Sequence, residues 1–349
     1  MILVLSGFSL ILLLYTQKER FQNQKKLFCI LIALYLFGIA AFREITGDAI
    51  DYARTYAHLS ATSFSSLFAD WQNDQVKDFV FYAVAKVFAD IGISAQVWIA
   101  AIALLFAVAF GRFLYKFADE PMIGMLLMLT LFFSFTLTGL RQTVALAIIF
   151  FSYEFILERK PIPFVLTVGL AFLFHSSALV FLPAYWIAKM KFGWKQYTLI
   201  GVFLLIAVFK GEWFRQLIEL LAWNESMERY AHSDTKLSWA GYIIQACILF
   251  FCIFAKKNMT ELSQDKAYRL QALLNCMAVG LCIQSFSAVV AEAFRISTYY
   301  FMCCTAAVPL VVDNQKSGKD KTIMYLGVGA ALLAYMLYAG TYSKLKFLF

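Results

Sequence analysis

Charge is scarce in this chain. Of its 349 residues only 15% are Asp, Glu, Lys or Arg, and histidine occurs three times. A soluble domain devotes about a quarter of its residues to charge, so this share excludes a solvated surface over most of the molecule. The marks of soluble chemistry are also missing. There is no phosphate-cradling glycine loop, no dinucleotide fingerprint, no nucleophile elbow and no Cys/His/Asp set at metal spacing. Neither a cofactor nor a metal is expected. The seven cysteines (Cys29, Cys247, Cys252, Cys276, Cys282, Cys303 and Cys304) all fall inside apolar segments, which suits small core residues better than disulfides or metal ligands. Repeats and low-complexity linkers are absent as well, so residues 1–349 are expected to form a single integral membrane domain.

Apolar surface, by contrast, is abundant. Hydrophobic residues make up 62% of the chain and aromatics 17%, with a mean hydropathy of +0.72. A soluble core of this size has no use for so much, and the composition implies a polytopic membrane protein. The net charge of +8 comes from short basic clusters between apolar runs, where it sets topology, so no nucleic-acid partner is expected. Met1–Tyr15 begins without a basic region and ends without a small-residue cleavage site, and is read as a first span.

An apolar segment needs about 20 residues to cross a bilayer, fewer where the bilayer thins. The runs near 2–16, 27–42, 95–111, 122–138, 142–157, 162–174, 176–188, 196–209, 239–255, 269–288, 296–312 and 322–341 predict an all-α bundle of about twelve transmembrane helices. With the amino terminus outside, the basic loops (Gln17–Lys26, Arg112–Glu120, Glu158–Pro161, Lys189–Lys195, Lys256–Lys266 and Asp313–Lys321) all lie inside, as short loops should. The outside then receives loop 43–94, the Arg141 corner, the His175 turn, loop 210–238 and the Glu292–Arg295 corner. Counting Asp78–Ile91 as a span would invert every later loop, so it is read as an amphipathic helix in the outer interface. The same reasoning breaks Phe164–Ala188 into two short helices meeting at His175.

With the topology set by basic loops alone, Arg43, Asp48, Asp51, Arg141, His175, Glu292 and Arg295 all fall at the expected outer side. Each has a plain structural explanation: interface anchoring for Arg141, helix capping for His175, Asp48 and Asp51, an i,i+3 pair for Glu292 and Arg295. Their shared placement favours one outward-facing polar site. Guanidinium forks match phosphate oxygens, and a carboxylate or imidazole can accept a hydroxyl proton, so the set suits an anionic ligand whose charge grows in reaction. A pyrophosphate leaving group on a lipid fits that description. Between the two candidate bases, Asp48 is taken as the acceptor-side base, with Asp51 beside it, and His175 as a hydrogen-bonding positioner. Trp213, Trp223, Tyr230 and Trp239 in or beside loop 210–238 offer faces for sugar rings, or form an interfacial belt.

Four stretches resemble successive motifs of the EpsG family. They are Phe42-Arg43-Glu44-Ile45-Thr46-Gly47-Asp48-Ala49-Ile50-Asp51-Tyr52, Leu140-Arg141-Gln142-Thr143-Val144-Ala145, Phe174-His175-Ser176-Ser177-Ala178-Leu179 and Phe294-Arg295-Ile296-Ser297-Thr298-Tyr299-Tyr300-Phe301. Those are bacterial inner-membrane proteins of the Wzy-like polysaccharide polymerase group. The resemblance implies a GT-C-like glycosyltransferase that moves a growing glycan from undecaprenyl pyrophosphate to the terminal sugar of another lipid-linked repeat unit, for O-antigen, capsule or exopolysaccharide. It implies catalytic roles among Asp48, Asp51 and His175, and substrate or pyrophosphate contacts from Arg43, Arg141, Gln142, Glu292, Arg295 and Tyr299. The implied partners are the lipid-linked oligosaccharide, a chain-length regulator and a flippase, and the implied site faces the periplasm. An O-antigen ligase would share this chemistry with a different acceptor. A flippase for the same lipid would carry internal repeats and midplane breaks, whereas these charges gather at one side.

Overall fold

The structure, a computed structural model, describes residues 2–16, 23–73, 75–211, 216, 239–290, 292–340, 342, 343 and 345–348. The described residues form helices joined by turns and loops, with two isolated backbone bridges and no strand among them. Six helices are long and apolar enough to cross a membrane: Gln24–Ala41, Ala95–Phe117, Leu140–Leu157, Ala240–Asn258, Gln264–Ser287 and Gly318–Ala339. Ala293–Phe301 and Cys304–Asp313, bent by 41°, make a seventh if taken as one broken span. The five remaining stretches expected to span are shorter helices of 10–17 residues. At 1.5 Å per residue they are shorter than a hydrocarbon core of about 30 Å, so by length and composition alone six helices, or seven with the bent pair, qualify as crossings. Loop 210–238, with Trp213, Trp223 and Tyr230, lies outside the described residues apart from Lys210, Gly211 and Gln216.

The chain separates into two compact units, Met1–Leu179 with Lys319–Phe349, and Val180–Gly318. In the first unit α1 (Ile2–Thr16) leads to α2 (Gln24–Ala41), followed by three short helices, α3 (Ala49–Leu59), α4 (Phe64–Gln72) and α5 (Phe79–Asp90). Next come α6 (Ala95–Phe117), α7 (Pro121–Leu127), a π-turn at Met128–Phe132, α8 (Phe133–Thr136), α9 (Leu140–Leu157) and α10 (Pro161–Phe174). Starts follow capping chemistry. Ser63 and Ser94 accept from the amides of Ser66 and Val97, and Pro121 and Pro161 occupy the first helical turn, where a missing N–H costs nothing.

Helix α2 packs on α6, α6 on α9, and α9 on α10. Gly111 makes the first contact close: a Cβ there would sit 3.0 Å from the Cys29 carbonyl oxygen. Phe106, Phe110, Phe113 and Phe117 of α6 line up against Phe150 and Tyr153 of α9 in tilted and edge-on pairs. At one end of these helices Glu154 receives Arg112 through Nε and Nη2, at 2.8 and 3.0 Å, together with Lys116. Those loops were expected on the same, basic side. The chain's last segment returns to the second helix's exit: Glu44 N donates to Lys346 O at 2.9 Å and Leu348 N to Phe42 O at 3.0 Å.

The second unit holds the 3₁₀ turn's end, α11 (Ala184–Ile187), α12 (Trp194–Phe209), α13 (Ala240–Ala255), α14 (Gln264–Gln284), α15 (Ala293–Phe301) and α16 (Cys304–Asp313). The expected second short helix from Ser176 is a 3₁₀ helix, Ser176–Phe181, then α11, because Pro183 lacks the N–H a continuous α-helix would use there. Helix α14 forms the buried centre, and α15 lies close against it at Gly280, whose carbonyl accepts from Ser297 Oγ at 2.8 Å. Two loops expected on the basic side are tied together, with Thr260 N donating to Asn314 O at 2.8 Å and Lys316 N to Asn258 O at 3.0 Å. The last helix, α17 (Gly318–Ala339), belongs almost wholly to the first unit and buries little beyond Leu332 and Met336.

Candidate active site

Asp78 stands where the loop after α4 enters α5, in the left-handed region at φ 57° and ψ 61°. A non-glycine residue there costs on the order of 1 kcal/mol, which surrounding contacts must offset. They do so through its carboxylate. Oδ2 accepts from Arg141 Nη1 at 2.9 Å and lies 2.8 Å from His175 Nδ1, while Oδ1 accepts from the Ser176 amide at 3.0 Å. None of that capacity goes to capping α5. The Asp78 side chain is 6% exposed, against 20% for Arg141 and 21% for His175, so the carboxylate is shielded while its two partners are reachable.

Three helices deliver these groups. Arg141 is in the first turn of α9, begun after Gly139, where a Cβ would strike the Phe135 ring at 2.8 Å. His175 follows α10, with its backbone turned to the extended region at φ −157° and its amide still bonded to Ala171 O. Helix α5 packs against both α3 and α10, which brings Asp78 to His175 and places Tyr52 of α3 beside Arg141. Arg141 Nε donates to the Tyr52 hydroxyl at 3.2 Å, and the guanidinium lies 5.8 Å from the Tyr52 ring centroid. No described residue accepts from Arg141 Nη2 or pairs with His175 Nε2.

The surroundings favour the ionised carboxylate. Burial pushes the Asp78 pKa up, but the His175 hydrogen bond and charge, the Arg141 charge and the Ser176 amide together outweigh it, and the group lies below the ordinary carboxylate value. An ionised carboxylate only accepts, so the proton between Asp78 and His175 belongs to Nδ1. The cluster can therefore offer a guanidinium arm to an anion and an imidazole Nε2 to a hydroxyl.

The other residues singled out in the sequence are placed as follows. Arg43 is 1% exposed and donates to the carbonyls of Leu137 and, at 3.1 Å, Glu44, while its Nε has no partner. Burial lowers its pKa to about 10, still charged at neutral pH. It lines a crevice of about 10 Å³, room for roughly one water, among Ile102, Phe106, Phe133, Thr136 and Thr143. Asp48 is exposed at the head of α3 and makes no side-chain cap there, and Asp51 pairs with Arg54 at 3.3 Å in full solvent. Gln142 is buried in α9. In the second unit, Arg295 is half-buried and its amide donates to Glu292 O at 2.9 Å; Glu292 Oε2 is buried without a hydrogen-bond partner, and Tyr299 is 1% exposed.

Sequence reasoning missed Asp78 as a site residue. The chain marks it only as an acid heading an apolar interfacial helix, and its partners lie 63 and 97 residues away. Tyr52 stands in the first family-like motif, but nothing in the sequence gives it a role. Among the described residues no three His, Cys, Asp or Glu side chains gather as a metal site.

Comparison with curated proteins gives no match, and neither does comparison with solved structures. A family model described as the EpsG family matches residues 25–349, nearly the whole chain, and this protein thus belongs to the EpsG family of polysaccharide polymerase-like membrane proteins.

Proposed function

We propose that this protein is a polysaccharide polymerase that takes a growing glycan from undecaprenyl pyrophosphate and transfers it to the terminal sugar of another lipid-linked repeat unit. The observation that carries this reading is the shielded Arg141–Asp78–His175 cluster, which unites a phosphate-matching guanidinium with an oriented imidazole. The acceptor sugar's hydroxyl oxygen attacks the anomeric carbon. The bond from that carbon to the pyrophosphate oxygen breaks, and its electron pair leaves with the pyrophosphate. Arg141 meets the growing negative charge, an electrostatic role often worth several kcal/mol in the transition state. The hydroxyl proton passes to His175 Nε2, the one ring nitrogen that Asp78 leaves bare. His175 takes this role in preference to Asp48, which sits in solvent, where a carboxylate is a weak base.

Arg295 is assigned a phosphate-binding role on the family motif alone. The excess of Lys and Arg in the opposite loops orients the cluster toward the periplasmic side of a bacterial inner membrane. There the protein would receive units from a flippase and work with a chain-length regulator.

The test is polymerisation in vesicles holding purified protein and lipid-linked repeat units. The wild type is expected to extend chains. Arg141→Lys keeps a charge but loses the planar fork and the Tyr52 stack, and should lower the rate by about 10²-fold. His175→Gln should cost about 10²-fold or more as well, while Asp48→Asn stays within about threefold. Near-normal polymer from Arg141→Lys and His175→Gln would refute the reading.

A further inference from the structure

We infer that Asp78 is a positioning residue for the transfer: its single carboxylate fixes His175 with Nδ1 protonated and Nε2 bare, and holds Arg141 in place beside it. The inference rests on the reading above for its catalytic consequence, but the placement of the three side chains stands without it.

The geometry excludes a merely local role. An acid before a helix ordinarily caps it, yet the Asp78 carboxylate makes no cap bond to α5. Instead all three of its accepted bonds come from residues 63 to 98 positions away. Oδ2 is shared, with Arg141 Nη1 at 2.9 Å and His175 Nδ1 at 2.8 Å. Oδ1 takes the Ser176 amide, which fixes the carboxylate plane relative to the histidine backbone. An imidazole held in this way by an acceptor-only group has one tautomer when neutral, and that tautomer exposes Nε2 to a hydroxyl. Arg141 is anchored at Nη1 and at Nε, through Tyr52, leaving Nη2 as the arm toward an incoming anion. The backbone at Asp78 adds a further sign, since φ 57° is a costly conformation for a residue that could have been glycine.

Asp78→Asn separates this role from fold. Asparagine is among the residues best tolerated in the left-handed region, has the same shape, and keeps an oxygen for the Ser176 amide. Its amide nitrogen would face His175 Nδ1 as a donor, so the ring must present a lone pair there and carry its proton on Nε2. Such a histidine cannot accept the hydroxyl proton. In the vesicle assay, Asp78→Asn should lower kcat by about 10²-fold, as His175→Gln does, because the wrong tautomer disables the same base. KM for lipid-linked units should rise as well, by about threefold or more, because the same NH2 meets Arg141 Nη1 donor to donor and releases the guanidinium.

The second readout needs no activity. The chain has three histidines, His58, His175 and His232, so imidazole nitrogen NMR resolves few signals, and His175→Gln assigns the one that matters. In its neutral form, the wild-type His175 should carry its proton on Nδ1, and in Asp78→Asn on Nε2. A wild-type His175 protonated on Nε2 would overturn the inference, whether or not the variant folds. So would full polymerisation by Asp78→Asn. A wild type with the expected tautomer that never extends lipid-linked units would instead overturn the proposed function and leave the placement of His175 by Asp78 intact.

Discussion

At the scale of single residues, burial determines which ionisable groups can do chemistry. Asp48 and Asp51 share a motif with Arg43, but they end in solvent on the first turn of α3, where a carboxylate is stabilised by water and by Arg54. Arg43 goes the other way, fully buried and held by backbone carbonyls. Between these extremes lie Asp78, Arg141 and His175. Because the Asp78 pKa in the folded protein lies below the value of about 3.9 for an unfolded chain, its contribution to stability is complete only above about pH 5. It is lost as pH falls through the folded value. Thermal unfolding in detergent between about pH 6 and pH 3 should therefore show a steeper acid decline for the wild type than for Asp78→Asn. Equal slopes would mean that Asp78 gains nothing from its partners.

At the scale of elements, helix ends aim the site. Helix α10 stops at His175 by leaving the helical region, α9 starts behind Gly139, and α5 starts at a left-handed residue. The exit of α2 is held from two sides. Gln96 donates to Ala41 O at 2.7 Å and to Arg43 O at 3.1 Å, and the carboxy-terminal residues bridge Phe42 to Glu44 across the backbone. Tyr342 secures the same tail by donating to Leu129 O at 2.6 Å, a carbonyl in the π-turn whose α-helical partner is displaced. Leu348→Pro deletes the donor to Phe42 O while the Leu348 side chain is largely exposed. It should cost about 1 kcal/mol and speed hydrogen exchange at the Glu44 amide by about fivefold. Unchanged exchange at Glu44 would show that Gln96 alone holds this segment.

At the scale of the whole molecule, every loop-to-loop contact described within a unit joins loops that the basic residues assign to the same side. Arg112 and Lys116 meet Glu154 near the basic Glu158–Pro161 corner, the 256–260 loop meets 314–316, and Asp78 meets Arg141 and His175. Single-cysteine labelling in intact cells checks this arrangement. Ser94 and Ser263 are poor sites because both hydroxyls cap helices, so Asn73→Cys and Glu261→Cys, both exposed, serve better, with Cys247→Ser removing the exposed native thiol. Cysteine at 73 should react with an impermeant reagent and cysteine at 261 only after permeabilisation. Labelling at 261 in intact cells would invert the topology and place the cluster at the cytoplasmic face.

Composition and the order of apolar runs were enough to establish an all-helical membrane protein, and four short motifs were enough to establish the family, because hydropathy and motif residues are local properties of the chain. Arg141 and His175 could be picked out for the same reason, as ionisable groups within apolar sequence. Read from the sequence, about twelve apolar runs pass as spans and Asp48 as the carboxylate of the site, while the helix breaks and the meeting of Asp78 with Arg141 and His175 go unseen. Both assignments depend on where helices break and on contacts between residues far apart in the chain. A π-turn, Pro183 and the bend after Phe301 interrupt runs that look continuous in hydropathy alone. Asp78 becomes the partner of Arg141 and His175 only because α5 packs between α3 and α10, a long-range arrangement that leaves no periodicity or spacing in the sequence to announce it.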